Sequence, residues 1–158
     1  MKWCLATLCV ALGCQHGGKK IEVDEGTGRP YPRLIAAEIV GLRIERAGAP
    51  DVVLRRQGDD WMVVEPGPGP ADPRALQFSV RELEHMEFDS DPLPDADESW
   101  ADEVVVHPQA AARALPALHL SPRHHLRIGD DAAVWRTHNI DYYTFAREVR
   151  FWRLGTVP

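Results

Sequence analysis

Glu38-Ile-Val-Gly-Leu-Arg-Ile-Glu-Arg-Ala47, then Val52-Val-Leu-Arg-Arg-Gln57, then Trp61-Met-Val-Val-Glu65: these three runs decide the fold. In the first, Leu42 and Ile44, with Val40, alternate with Gly41, Arg43 and Glu45. A two-residue period of this kind gives a strand one dry face and one wet face. The connections Ala47-Gly48-Ala49-Pro50-Asp51 and Gly58-Asp59-Asp60 are turn-forming. They are too short for parallel crossovers, so the three strands form an antiparallel meander that Pro66 closes.

Downstream, Pro66-Gly67-Pro68-Gly69-Pro70 is a stiff loop leading to Asp72-Pro73, a helix cap followed by proline at the first helical position. A helix follows over 74–87. Leu76, Val80, Leu83 and Met86 form its apolar stripe with Ala75 beside them, and Arg81, Glu82, Glu84 and His85 stay wet. Neither the stripe nor the dry face of the meander is stable in water alone. Leu76, Val80 and Leu83 are therefore expected against Leu42, Ile44, Val52 or Leu54, and Trp61 or Val63. The fold class is α+β: an antiparallel β-meander with one main amphipathic helix packed on the sheet, plus a second, smaller hairpin region.

That second region follows Asp89 to Glu103, a stretch of seven carboxylates and no base. It reads as a solvated loop with Trp100 as its anchor. Val104-Val105-Val106 is a short strand stopped by Pro108, and Gln109 to Leu115 a short alanine-rich helix. His124 to Ile128 and Ala133 to Thr137 flank Gly129-Asp130-Asp131, a hairpin turn signal. Tyr142 to Phe145 is a further strand. Ala146 to Leu154 reads two ways. Helical spacing groups Phe145, Val149 and Trp152, alternation groups Val149, Phe151 and Arg153, and the short helix is favoured.

Upstream of the domain, Lys2 precedes an apolar run from Trp3 to Leu12 that closes on Gly13-Cys14. About 10 apolar residues are too few to span a hydrocarbon core of roughly 30 Å as a helix, and they fit the h-region of a cleaved signal. The segment resembles the signal and lipobox of a bacterial lipoprotein, with leucine at the second position before the cut where that class more often has it at the third. The resemblance implies cleavage after Gly13 and a diacylglycerol thioether on Cys14. Several acyl chains then anchor the protein stably, which one alone would not. An ordinary secretory signal and an apolar cytosolic N-terminus are the alternatives. The implied organisation is a signal peptide at 1–13, a lipidated cysteine and flexible tether at 14–33, and a single domain at 34–158. Gln15 follows the cysteine, where the class carries aspartate for inner-membrane retention, so the implied address is the outer membrane, facing the periplasm. Cys4 and Cys9 leave with the signal, and one remaining cysteine cannot form an intramolecular disulfide.

A second resemblance covers roughly residues 34–146. An Ile/Leu hairpin, a turn before Trp61, Glu65-Pro66, Pro70-Ala71-Asp72-Pro73 and a leucine-rich helix ending near Met86-Glu87-Phe88 follow in order. Together they resemble an uncharacterised bacterial family of envelope proteins built from repeated units, found beside gliding-motility transport genes. Leu126-Arg127-Ile128-Gly129-Asp130, Trp135-Arg136 and Tyr142-Tyr143 look like its second half-unit. The family offers no catalytic residues to carry over.

Composition narrows the function. The chain has 158 residues, 18 lysines and arginines against 24 acids, and a formal charge of −6. An acidic chain of this kind is a poor nonspecific binder of nucleic acid. His119, His124, His125 and His138 fall close in sequence. Zinc needs three or four converging ligands, and no H-E-x-x-H is present, so the histidines read as surface residues. Asp89, Asp91, Asp95 and Asp97 suggest calcium, but Pro92 and Pro94 stand where a calcium loop needs freedom and glycine. Ser79, Ser90, Ser99 and Ser121 lie in no G-x-S-x-G elbow, and no glycine-rich phosphate loop occurs. No catalytic residue, metal ligand or cofactor is therefore named.

From residue 104 onward seven arginines face four acids. The last of them, Arg147, Arg150 and Arg153, interleave with Phe151 and Trp152. Arginine and aromatics are the residues that dominate interface hot spots. The segment reads either as core aromatics with solvated arginines or as a surface that docks an acidic partner. The favoured function is a membrane-anchored, noncatalytic accessory or protein-binding module of the bacterial envelope. The rival readings are a hydrolase using acidic residues and a structural spacer.

Overall fold

The computed structural model of the chain describes residues 27–94, 100–137 and 141–155. The signal and lipobox, including Cys14, lie outside the described residues, as do 95–99 of the acidic stretch and His138. The first three strands are β2 (Ile39–Arg46), β3 (Ala49–Gln57) and β4 (Asp60–Glu65), preceded by a two-residue β1 (Thr27–Gly28). A short β5 (Gly69–Pro70) continues the meander before the helix α1 (Pro73–His85). After β6 (Phe88–Asp89) a second meander runs through β7 (Val104–Ala110), β8 (Leu118–Leu120), β9 (His125–Ile128) and β10 (Trp135–Arg136). A five-residue helix, α2 (Asp141–Phe145), and a 3₁₀ turn over Val149–Trp152 follow.

The two meanders are halves of one antiparallel sheet, ordered β10-β9-β8-β7-β2-β3-β4-β5. The seam is the β2–β7 pair. Register explains the single dry face. Val52, Ile44, Val106, Leu118 and Ile128 stand opposite one another across five strands, and Val104, Leu120, Leu126 and Trp135 form a second row. All nine are buried. The hairpin expected as a separate region is thus continuous with the first meander through β7.

The wet face carries the charges that alternation assigned to it. Arg43 lies 2.7 Å from Asp51 and 3.1 Å from Glu45, and Glu45 lies 3.2 Å from His107. Farther along, Glu103 accepts from Arg127 at 3.3 Å and lies 3.0 Å from His119 Nδ1. The Arg127 guanidinium sits 4.2 Å above the Trp100 ring. The exposed pairs among these contribute about 0–1 kcal/mol each, so they organise the face more than they stabilise it.

Helix α1 begins as its cap dictates: Asp72 Oδ1 accepts from the backbone N–H groups of Arg74 at 2.8 Å and Ala75 at 3.3 Å. Ala75, Leu76, Val80 and Leu83 are buried and belong to the same hydrophobic cluster as Leu42, Ile44, Val52, Leu54 and Val63. Buried Ser79 satisfies its hydroxyl by donating to the Ala75 carbonyl at 3.0 Å. Both outer edges of the sheet meet other segments of the chain. At the β5 edge Arg153 bridges Ala71, and Leu154 N–H donates to Pro70 O at 3.1 Å. At the β10 edge Phe88 bridges Thr137, and Leu93 N–H donates to Val134 O at 2.7 Å.

Several local expectations are overturned. Residues 27–33 were expected in the tether, yet β1 pairs with β6, Tyr31 is 2% exposed, and its hydroxyl donates to Pro116 O at 2.6 Å. One aromatic with a hydrogen-bond partner anchors a stretch whose glycine and proline content resembles a linker. Pro108 does not stop β7. Strand β8 pairs only with Val104–Val106, so at Pro108 the strand has β2 alone as neighbour and a missing N–H is tolerated. The alanine-rich helix over 109–115 is absent. Gln109 and Ala110 extend β7, and Ala111 N–H donates to Glu38 O at 3.1 Å. Seven residues cannot offset helix nucleation once the sheet offers partners. Tyr142–Phe145 is helical, not a strand, with Ala146 N–H donating to Tyr142 O at 2.8 Å and Phe145 fully buried. Val40 is half-buried while Ile39 is fully buried, because the β2–β7 register shifts between Ile39 and Gly41.

Candidate functional site

A concave surface holding three of the residues named from sequence as a partner surface, Arg147, Arg150 and Phe151, lies where α1 meets the segment after α2. Asp72, Arg74, Ala75 and Phe78 form one wall, and Ala146, Arg147, Glu148, Arg150 and Phe151 the other. The cleft measures about 710 Å³. Arg74 and Phe78 are four residues apart and share one face of the helix. Phe78 is 51% exposed, opposite the buried stripe. On the other wall the Arg147 guanidinium sits 5.1 Å from the centre of the Phe151 ring. The wall is positioned from the sheet: Arg46 at the end of β2 donates to Arg147 O at 2.6 Å and to Pro50 O at 2.8 Å.

The carboxylates of the cleft are engaged. Asp72 caps α1, and Glu148 accepts from Arg150 Nε at 2.9 Å. The local balance is three arginines against two acids already in use.

Of the five residues proposed from sequence as a partner surface, the structure brings Arg147, Arg150 and Phe151 to this cleft and takes two away. Trp152 is a correction: it is 0% exposed, its carbonyl accepts from Asp72 N–H at 2.8 Å, and its ring meets Phe151 edge-on at 5.1 Å. Large apolar area outweighs the polar indole, whose N–H has no hydrogen-bond partner among the described residues. Arg153 is half-buried, donating to Gly67 O at 2.7 Å while bridging Ala71, so it secures the C-terminal segment to the β4–β5 loop. Arg74 and Phe78 were missed. The signal was present: Phe78 falls off the Leu76–Val80–Leu83 stripe, and the first turn of α1 holds an arginine and no acid.

A second groove of about 840 Å³ runs between α1 and the β4–β5 edge, floored by Ile39, Leu76 and Val80 and walled by Trp61, Met62 and Leu154. Its rim mixes Arg56 and Arg81 with Asp59, Asp60 and Glu84. The histidines do not gather. His119 faces Glu103, His124 adopts a positive φ of 61° and meets Tyr143 edge-on at 6.1 Å between ring centres, and His125 lies in β9. Among the described residues no group of three or more His, Cys, Asp or Glu converges as a metal site, and no helix is long and apolar enough to cross a membrane. No protein-family model, curated protein or solved structure matches the chain.

Proposed function

We propose that this chain is a lipid-anchored, noncatalytic protein-binding module of the bacterial envelope, tethered through Cys14 and acting without a cofactor. In this reading the domain faces the periplasm, α1 lies across the dry face of the sheet, and the cleft between α1 and the C-terminal segment receives a partner protein. The observation that carries it is the pairing of exposed Phe78 and half-buried Phe151 with Arg74, Arg147 and Arg150 across one cleft. Solvent-facing aromatics within reach of guanidinium groups are the usual material of a protein-binding hot spot. The Lys2 to Cys14 pattern supports the anchor.

Two measurements test the reading. Cys14→Ser, followed by fractionation of cells, should move the protein out of the membrane fraction, and full retention there would remove the anchor. A photo-crosslinking residue introduced at position 78 or 151 in cells should give a discrete adduct, while the same residue at exposed Arg55 on the opposite sheet face should not. Equal adducts at all three positions, or none, would remove the binding site.

A further inference from the structure

We infer that the occupant of the α1/C-terminal cleft is an acidic peptide segment carrying a large apolar side chain between its carboxylates. The inference rests on the binding-module reading and names the chemistry of its partner.

Three observations lead to it. The first is a departure from a local preference. The N-terminal end of a helix is the positive end of its dipole and favours acids. The first turn of α1 instead contains Arg74, with no acid beyond the capping Asp72. A guanidinium at that position is unfavourable for the helix by itself, and departures of this kind are expected at functional or strained sites. The second is charge without a carboxylate partner. Among the described residues no carboxylate pairs with Arg74 or with Arg147, although the chain as a whole carries −6. Asp72 and Glu148 are already engaged in the helix cap and with Arg150. The third is the aromatic lining. Phe78 lies one turn beyond Arg74 on one wall, and on the other the Arg147 guanidinium sits 5.1 Å from the centre of the Phe151 ring.

Carboxylates suit the cations because the arginine fork accepts two oxygens in one plane. An apolar side chain between them suits the rings, which are left partly wet in the free protein. A membrane surface fits less well. The rings line a recess between two elements rather than a protruding face, and the overall negative charge opposes approach to an anionic bilayer.

The test uses the full-length chain in neutral detergent micelles and a fluorescein-labelled peptide with one phenylalanine between two pairs of glutamates. Saturable binding by fluorescence anisotropy is expected, weakened about tenfold or more by Arg74→Glu and by Arg147→Glu, and weakened by salt. Arg74→Gln, with its thermal transition unchanged, should also weaken it and separates lost contact from lost fold. Peptides with lysine for glutamate, or serine for phenylalanine, should bind at least about tenfold more weakly. Absence of saturable binding, equal binding of the lysine peptide, indifference to both arginine variants, or displacement of the peptide by phosphatidylglycerol in the micelles would each overturn the inference. An adduct from position 78 in cells that maps to a partner segment without acids overturns the acidic occupant and leaves the binding module standing. Loss of the adduct altogether removes both.

Discussion

Replacing Trp152 by alanine should destabilise the domain by about 3–4 kcal/mol. A tryptophan that is 0% exposed removes about 150–250 Å² from water. At about 25 cal/mol per Å² that is worth roughly 4–6 kcal/mol. A realistic unfolded chain already hides some of that area, which trims the figure by about 10–40%. The buried indole N–H has no partner among the described residues, a cost of about 1–3 kcal/mol in the parent that alanine relieves. The cavity left behind acts in the opposite direction, and measured losses for large-to-alanine changes of this kind run about 3–5 kcal/mol. The backbone bond from Asp72 N–H to Trp152 O survives the change, so the loss reports side-chain packing. Against a typical total of about 5–15 kcal/mol, the thermal midpoint should fall by about 10 °C. Trp152→Phe keeps most of the apolar volume and removes the orphaned N–H, so it should cost only about 1 kcal/mol. Urea unfolding followed by far-ultraviolet circular dichroism measures both. A loss under about 1 kcal/mol for the alanine variant would refute the placement of Trp152 in the core and return it to the partner surface.

Leu83, 1% exposed on the buried stripe of α1, should cost about 2–5 kcal/mol when changed to alanine, and a measured loss below about 0.5 kcal/mol would mean that the stripe does not face the sheet. Tyr31 predicts an alkaline transition. Burial raises its phenol pKa well above the usual value of 10.0. The folded state therefore keeps the proton where the unfolded chain loses it. Stability is fully present below the unfolded pKa and falls as pH rises from there towards the higher folded value. Tyr31→Phe should cost about 1 kcal/mol at neutral pH through loss of the Pro116 hydrogen bond and should flatten the stability profile above pH 10.0. An unchanged alkaline slope in that variant would assign the transition elsewhere.

Local chemistry made the first meander and α1 legible in the amino-acid order. The period of two across Leu42 and Ile44, the glycine and aspartate turns, and the Asp72-Pro73 cap each act within a few residues, and each leads to the same structure. The wet charges of β2 and the turn at Gly129, with its positive φ of 57°, follow the same logic. Tertiary structure decided what depended on neighbours far along the chain. Pro108 extends a strand because β8 ends short of it. Residues 109–111 join β2 instead of coiling, and the isolated Tyr31 secures a linker-like stretch through Pro116, 85 residues away. The three-residue β8, between Pro116 and Pro122, has too few residues to show a period at all. The cleft divides in the same way. Arginine and aromatic composition pointed to the C-terminal segment, but composition cannot tell which rings face inward. Packing put Trp152 inside, engaged Arg153 with Gly67, and brought Arg74 and Phe78 of α1 to Arg147 and Phe151. Burial is a property of the closed fold, settled by which large side chains fill its interior, and no interval along the sequence encodes that competition.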